Sequence, residues 1–223
     1  PTLPQLGYTT VALGAAASAA RVFPLVTHAV FKPLLFLAAG SVIIAMHHEQ
    51  DIRRMGGIRR HMPVTYWTSL VGSLALIGFP GFSGFFSKDA ILEAVHHSQR
   101  PGAGFAYLAL VAGVYVTALY TFRMFFLVLH GRPRMDPHTL EHLHEGPAVI
   151  TVPLIGLAIP SMLAGAVLVG PMLFGDYFRV AIRVLPANDV LAEWGGHYSG
   201  VLGFVAHGLR VSSSAVREAL AEG

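Results

Sequence analysis

Long uncharged stretches, separated by short polar ones, run along most of the chain. A helix needs about 20 predominantly apolar residues to cross the hydrocarbon core of a bilayer. The stretches that reach or approach this length predict spans at residues 1–15 (partial), 16–46, 63–95, 104–130 and 147–175. Residues 1–15 lack the basic flank of a signal peptide, so we interpret them as the tail of a span whose beginning is missing. Residues 1–175 are therefore predicted to form an all-α, polytopic transmembrane helix bundle.

The pattern changes after residue 175. Asp176, Arg179 and Arg183 recur at helical spacing opposite apolar residues, which is typical of a helix lying at the membrane interface. We assign residues 176–210 to an interfacial amphipathic segment and the start of a truncated span. The polar residues 211–223 are predicted to be a frayed tail.

Basic residues are concentrated in two of the loops. Four arginines lie in loop 47–62 and two in loop 131–146, whereas the loop near residues 96–102 contains only Arg100. Cytoplasmic loops of membrane proteins carry an excess of Lys and Arg. Loops 47–62 and 131–146 are therefore predicted to face the cytoplasm.

Composition supports a bilayer environment and excludes several functions. Hydrophobic residues make up 54% and charged residues 12% of the chain, whereas soluble domains have about 25% charged residues. The net charge of +3 comes without the clustered Lys and Arg that would bind nucleic acid. Because the chain has no cysteine, it cannot form disulfides or ligate an iron–sulfur cluster. We expect no redox cofactor in this chain, with electron transfer taking place elsewhere.

Of the 15 basic residues only two are lysines, Lys32 and Lys88, and both lie inside or at the edge of predicted spans. Arginine stays protonated in essentially any protein environment, whereas a desolvated lysine can gain and lose a proton. A charge at the bilayer centre costs about 2.5–3.5 kcal/mol on insertion scales. Both lysines are therefore functional candidates.

His28 and Lys32 are four residues apart, so on a helix they share a face. A histidine that titrates near neutral pH, beside a lysine with an adjustable pKa, suits a two-step proton relay. In the alternative, Lys32 extends to the membrane interface and His28 bonds a carbonyl of a neighbouring helix. The charge-free stretch 33–46 separates Lys32 from one end of its span, which favours the relay.

The third predicted span contains a helix break just before Lys88. Pro80, Gly81 and Gly84 lie there, and proline and glycine weaken a helix interior. Unpaired backbone groups at membrane depth occur where they are buried in protein or line a wet cavity. A break near Pro80 to Lys88 therefore predicts an ion path beside this lysine. In the alternative, Lys88 and the acidic residues after it only begin the polar end of the span.

Histidines cluster in loop 131–146. His138 and His142 are four residues apart, a spacing that helical metal ligands can use, and His144 follows. The segment is a short polar turn with no cysteine, so we predict a solvated loop and no metal site. Two further pairs fall at span ends and are interpreted as interfacial: His47–His48 and His96–His97.

Three sequence blocks follow one another along the chain. They are VTHAVFK at 26–32, HHEQDIRRMGG at 47–57, and the stretch from PVTYWT at 63–68 to FSKD at 86–89. Together they resemble the antiporter-like membrane subunits of NADH:quinone oxidoreductase (respiratory complex I), of the subunit L and mitochondrial chain 5 type. The resemblance covers roughly residues 1–208, and these correspond to the later third of such a subunit.

The resemblance implies an inverted-repeat fold of transmembrane helices, and such folds place ion sites at broken helices. Lys32 would be the central lysine of a proton path, His28 its relay partner, and Lys88 the lysine at the broken helix near the exit. The supporting residues would be Thr27, Ser87 and Asp89.

The resemblance also implies partners and a location. The chain would be a multi-pass protein of the bacterial inner membrane, packed beside other membrane-arm subunits and moving protons. The redox energy would arrive from partner subunits, which would bind NADH, FMN, iron–sulfur clusters and quinone.

The chain departs from this family at three prolines. Pro24 stands where the family usually has a second histidine, Pro33 replaces an alanine and Pro4 replaces a serine. Because proline removes a backbone donor and restricts its predecessor, we expect a kinked helix around Lys32. Residues 211–223 do not resemble the span and long lateral helix that follow in the family, so we expect the coupling element to be absent.

Two other functions stay open. A multi-subunit sodium/proton antiporter has a related subunit with the same lysines and broken helix, but no dehydrogenase partner. A purely structural membrane scaffold would tolerate replacement of both lysines without any change in proton flux.

Overall fold

The computed structural model describes residues 7–11, 18–175, 177 and 200–210, and within these ranges the regular structure is helical, without a strand. Residues 7–11 are helical, and short 3-10 turns occupy Ile52–Arg54 and Ile58–Arg60. The helices are α1 (Ser18–Ala45), α2 (Pro63–Ile77), α3 (Ser83–His96), α4 (Ala103–Leu129), α5 (Pro137–Glu141), α6 (Ala148–Val169), a π-helical turn (Gly170–Phe174) and α7 (Val201–Arg210). The predicted all-α fold is confirmed.

Three of these helices are long and apolar enough to cross a bilayer. They are Val22–Ala45, Ala103–Leu129 and Ala148–Phe174, and they fall within the predicted spans 16–46, 104–130 and 147–175 or within one residue of them. The predicted span 63–95 consists of two helices, α2 and α3, separated by residues 78–82. Most of the predicted span 1–15, most of the interfacial segment and the tail at 211–223 lie outside the described residues.

The two prolines of α1 do not end the helix. Pro24 and Pro33 both lie inside it, and helical structure is continuous from Ser18 to Ala45. Near Pro24 the hydroxyl of Thr27 donates to the proline's own carbonyl, at 3.2 Å. Membrane helices accept proline where neighbours satisfy the backbone groups that it frees, so the expected disturbance around Lys32 leaves the helix uninterrupted.

Helix α3 occupies the centre of the described bundle. It contacts α1, α2, α4 and α6, and every residue from Ser83 to Val95 except Leu92 is buried. At Gly165 of α6, an added Cβ atom would lie 2.5 Å from the Cα atom of Ser83, so the two backbones touch directly. The aromatic ring of Phe86 packs against Phe204 of α7, with ring centroids 5.4 Å apart. Side chains of α3 are therefore enclosed by protein on most sides.

Both basic loops lie at one end of the bundle, which we call the loop face (residues 46–62 and 130–147). The N–H of Gly57 donates to the carbonyl of His130 at 2.9 Å, and the guanidinium of Arg134 donates to the carbonyl of Arg53 at 2.8 Å. Helix α4 ends at this face and its 27 residues span about 40 Å at 1.5 Å per residue. The turn at residues 97–102, where α4 begins, therefore lies at the other end, which we call the opposite face.

The loop face is stabilised by local ion pairs. Asp51 accepts hydrogen bonds from the side chain and the backbone N–H of Arg53, and these bonds lower the pKa of Asp51 to about 2. Glu49 accepts from the backbone N–H groups of Gln50 and Asp51 and pairs with Arg54, which lowers its pKa as well. Both carboxylates are therefore ionised at neutral pH, beside the arginines that follow them.

Candidate functional site

Helix α2 ends at a glycine in the left-handed conformation, and the break between α2 and α3 begins there. Gly78 has φ +81° and its N–H donates to the carbonyl of Ala75, while the N–H of Phe79 reaches back to Leu74 at 2.9 Å. This pair of hydrogen bonds is the Schellman motif that commonly ends helices. The chain restarts as a helix at Ser83, so the predicted break is present.

Lys88 binds to the end of the interrupted helix. The last four carbonyls of a helix have no partner within it, and the Schellman motif satisfies two of those of α2. The Nζ atom of Lys88 donates to a third, the carbonyl oxygen of Leu76. The side chain is 5% exposed, and its Nζ atom lies 5.9 Å from the centroid of the Tyr8 ring. A cation is also favoured at a helix C-terminus by the peptide dipoles.

The break brings two backbones into contact at Gly84. A Cβ atom added there would overlap the carbonyl oxygen of Ala75, so only glycine fits without displacement of a helix. Gly84, which the sequence assigns to the break itself, lies in the first turn of α3. Pro80 and Gly81 lie in the break, and Gly81 has φ +88°. A Cβ at Gly78 would lie 3.1 Å from the Lys88 side chain, so the turn also closely packs against the lysine.

Lys32 has different surroundings. It is half-buried on α1, and its Nζ atom is shielded from solvent without a hydrogen-bond partner in the described part of the chain. Its Nζ atom lies 5.2 Å from the centroid of the Phe36 ring. The Nε2 atom of His28 is likewise shielded and without a partner among the described residues. Both polar atoms of the predicted relay pair are therefore covered by protein, one turn apart on α1.

An apolar layer, which we call the Phe31 layer, adjoins both lysines. Phe31, which precedes Lys32, packs against Ala75 and Leu76, and the latter supplies the carbonyl that Lys88 binds. Tyr120 of α4 packs on this layer, and its hydroxyl is buried without a partner in the described ranges. A buried hydroxyl without a bond is costly, so Tyr120 is a candidate to join polar groups across the layer. The sequence did not identify this residue.

The three predicted supporting residues are Thr27, Ser87 and Asp89, and two of them make hydrogen bonds within their own helix. Thr27 is bonded to the carbonyl of Pro24, and Ser87 Oγ donates to the carbonyl of Gly84 at 3.1 Å. Asp89 is 5% exposed, and its Oδ2 atom has no partner within the described residues. Of the predicted set, Lys88, Ser87 and Asp89 lie together on α3, whereas Thr27, His28 and Lys32 lie together on α1.

Glu93, one turn beyond Asp89, is a second buried carboxylate that the predicted set does not include. It is 4% exposed, and its Oε1 atom lies 2.9 Å from His97 Nε2 and 3.3 Å from His207 Nε2. The spacing of Asp89, Glu93 and His97 is visible in the sequence and could have suggested a stripe on one helix face. The contribution of His207 comes from a helix far along the chain and has no sequence signal.

A third carboxylate, Glu145, caps the N-terminus of α2, which is the other half of the broken helix. It accepts hydrogen bonds from the backbone N–H groups of Val64 and Thr65, at 2.7 and 3.2 Å, and from the Thr65 hydroxyl at 2.6 Å. These N–H groups lie in the first turn of α2, where an anion is stabilised by the helix dipole. Helix α2 therefore has a carboxylate at its N-terminus and a lysine at its C-terminus, each supplied by another element.

Two of the three histidines of loop 131–146 are bonded to backbone. The Nδ1 atoms of His142 and His144 lie 2.9 and 2.7 Å from the carbonyls of His138 and His142. Across the described ranges there is no group of three or more His, Cys, Asp and Glu side chains that could hold a metal ion.

The chain is similar to known proteins in both sequence and fold. The family model described as "NADH:quinone oxidoreductase/Mrp antiporter, TM" matches residues 1–128. Subunit L of the NADH-quinone oxidoreductase of Neisseria meningitidis serogroup B is 49% identical in an alignment of 225 positions, which covers 93% of this chain and 33% of that protein. Subunit L of Rhodobacter capsulatus is 46% identical, covering 74% of this chain and 24% of its own length.

Two more distant proteins extend the comparison. The NADH-ubiquinone oxidoreductase chain 5 of Marchantia polymorpha is 41% identical over 86% of this chain and 29% of its own. Among solved structures, the Mrp complex from Dietzia sp. has a chain with a TM-score of 0.56 and 18% identity, covering 70% of this chain and 38% of that one. That structural similarity concerns the fold alone. The chain spans about a third of the length of the first curated relatives that it matches.

Proposed function

Because the chain belongs to the NADH:quinone oxidoreductase/Mrp antiporter membrane family, we propose that it carries protons across a bilayer as part of a membrane subunit of NADH:quinone oxidoreductase. The relatives that support this proposal most directly carry the names subunit L and chain 5 of that enzyme. Redox chemistry in partner subunits drives the movement.

His28, Lys32 and Lys88 carry the protons in this proposal. His28 and Lys32 pass a proton along one face of α1. Lys88, which is bonded to Leu76 of the Phe31 layer, then receives it. The observation that carries the proposal is the position of Lys88, which is buried at a helix break and bound to a backbone carbonyl. A lysine can release its proton where an arginine cannot. Thr27, Ser87 and Asp89 support the path from positions beside these groups.

The chain itself contributes no redox cofactor. Its lack of cysteine supports this, because iron–sulfur clusters are held mainly by cysteine thiolates. NADH, FMN, iron–sulfur clusters and quinone are bound by partner subunits, and the neighbours of this chain are other membrane-arm subunits and lipid. The exposed apolar side chains of α4 and α6, such as Leu119 and Val149, suit these neighbours.

The protein is proposed to be a multi-pass protein of the bacterial inner membrane, with the loop face in the cytoplasm. The six arginines of loops 47–62 and 131–146 support this orientation through the positive-inside rule. The described structure has both loops at the same end of the bundle.

The proposal is tested by proton pumping in vesicles that contain the complete complex. Lys32→Ala and Lys88→Ala are introduced one at a time into the full-length subunit. Because both lysines carry the proton, we expect each variant to lose pumping while the complex still assembles and oxidises NADH. Unchanged pumping in both variants contradicts the proposal and favours a structural scaffold. Arg100→Ala, an exposed basic residue on the opposite face, is the control and is expected to pump normally.

A subunit of a multi-subunit sodium/proton antiporter is the second candidate. It is favoured by the family description, which covers both systems, and by the fold of the Mrp complex. The two candidates differ in partners, because an antiporter subunit has no dehydrogenase arm. Purification of the full-length protein with its native partners therefore decides between them: co-purification of NADH-dependent quinone reduction supports the first, and sodium-dependent proton exchange without it supports the second.

A further inference from the structure

Three titratable side chains form a stripe along α3 beyond Lys88. Asp89, Glu93 and His97 are spaced four residues apart, so they lie on one face of the helix, each about 6 Å from the next. Exposure rises along the stripe toward the opposite face: Asp89 is 5% exposed and Glu93 4%, whereas the side chain of His97 is 56% exposed. The stripe therefore runs from the buried centre of the bundle to solvent.

Adjacent members of the outer half are in hydrogen-bond contact. Glu93 Oε1 lies 2.9 Å from His97 Nε2 and 3.3 Å from His207 Nε2 on α7. The side chain of His207 is 41% exposed, so each histidine connects the same buried carboxylate to the surface. Titratable side chains near His97 include His96, whose ring lies 5.3 Å from that of His97, and Tyr107, whose ring lies 5.1 Å from that of His96.

The inner end of the stripe has an open acceptor. Asp89 Oδ2 is buried and has no hydrogen-bond partner in the described ranges. Gly208 of α7 faces it, and a Cβ atom there would lie 2.5 Å from Asp89 Oδ2. The carboxylate is thus packed against backbone, and no side chain at position 208 satisfies it. A buried polar atom without a partner is costly, so Asp89 Oδ2 is a position that can accept a hydrogen bond at the inner end of the stripe.

We infer that Asp89, Glu93 and His97, with His207 as a parallel outlet, form the path by which protons leave Lys88 for the opposite face. This inference rests on the proposed function. Lys88 and Asp89 are consecutive, so their side chains diverge on the helix, and transfer of a proton between them requires a bridging water molecule. The Lys88 ammonium gives up one proton, and Asp89 becomes a carboxylic acid. Asp89 passes a proton to Glu93, Glu93 passes one to an imidazole, and the imidazolium releases it to solvent.

The test is Glu93→Gln in the full-length subunit of the assembled complex. Glutamine keeps the shape of glutamate and cannot exchange a proton as a carboxylic acid, so proton pumping is expected to fall about tenfold or more while the complex assembles. Glu93→Asp keeps the carboxylate and restores most of the pumping. Glu141→Gln, an exposed carboxylate on the loop face, is the matched control and pumps normally. Assembly of the complex is followed on native gels. NADH oxidation is measured in uncoupled vesicles.

The outcomes separate this inference from the proposed function. If Lys88→Ala abolishes pumping and Glu93→Gln pumps normally, the exit path is wrong and the proposed function stands. If Glu93→Gln and Glu93→Asp lose pumping only in proportion to lost complex, Glu93 is structural and the inference is also overturned. If neither Lys88→Ala nor Glu93→Gln affects pumping, both fail. A selective loss in Glu93→Gln, restored in Glu93→Asp, supports the path.

Discussion

The surroundings of the two lysines differ, although both lie in apolar helices. Lys88 is 5% exposed and donates to the carbonyl of Leu76 at the end of an interrupted helix. Lys32 is half-buried on an uninterrupted helix, and its Nζ atom has no hydrogen-bond partner among the residues that the structure describes. Lys88 therefore has a structural bond as well as its proposed role in transport, whereas Lys32 makes no such bond within the described part of the chain.

Because of this difference, a substitution at Lys32 tests proton transport alone, whereas a substitution at Lys88 also removes a structural bond. Loss of a proton path and loss of a helix end both follow from removing Lys88. Only the first follows from removing Lys32. Variants that separate charge, hydrogen bonding and backbone contact can therefore sharpen the comparison.

The largest contrast is expected from methionine substitutions. Lys88→Met leaves the buried Leu76 carbonyl without its donor, which costs about 1–3 kcal/mol, and it also removes pumping. Lys32→Met is expected to remove pumping with little change in the free energy of unfolding, because no described hydrogen bond is lost. The thermal midpoint of the purified complex and its pumping rate are measured for both.

Equal losses of stability in the two methionine variants would break the comparison, since they would mean that Lys32 has a structural partner too. Lys88→Arg is the companion variant. Arginine can still donate to the carbonyl but does not release its proton, so pumping is lost while the carbonyl keeps a donor.

A loss of stability without loss of a proton carrier is expected at the backbone contact beside Lys88. Gly84→Ala places a methyl group against the carbonyl oxygen of Ala75, which forces α2 and α3 apart. Such overpacking costs about 1–3 kcal/mol, and it moves the Leu76 carbonyl relative to Lys88. Gly156→Ala on α6 is the matched control, because an added Cβ there meets nothing within 4 Å. Thermal unfolding compares the two, and equal midpoints would contradict the close contact at Gly84.

The smallest effect is expected at the other end of α2. Glu145→Ala removes the acceptor for the N–H groups of Val64 and Thr65, and the loss of a helix cap costs about 1 kcal/mol. Glu145→Gln retains an oxygen acceptor and should recover most of this. Pumping is expected to persist in both variants. A large pumping defect in Glu145→Gln would show that the charge at this end of α2 matters beyond stability.

The long helices and the break could be predicted from local sequence. Uncharged length predicts the spans, and the proline and glycines around residues 78–84 weaken a helix at the place where it ends. The kink expected from Pro24 and Pro33 does not interrupt α1, because neighbouring groups in a membrane protein can satisfy the backbone carbonyls that proline frees.

The partners of the buried charges could not be predicted in the same way. Lys88 bonds to a backbone carbonyl, which has no sequence signature because every residue has one. Glu145 caps a helix 80 residues earlier, and His207 reaches a glutamate 114 residues earlier. Such contacts depend on how helices pack, and a single sequence contains no direct record of that.

The contact between Gly84 and the Ala75 carbonyl also bears on the time course of transport. Since the backbones of α2 and α3 touch there, the two half-helices cannot slide past each other without losing this contact. Collective helix movements take microseconds to milliseconds, whereas side-chain rotations take picoseconds to nanoseconds. With the half-helices held in register, the moving part at the break is the Lys88 side chain, which can leave the Leu76 carbonyl without a collective shift of the helices. We therefore expect no sliding of α2 past α3 on the microsecond-to-millisecond timescale of collective movements.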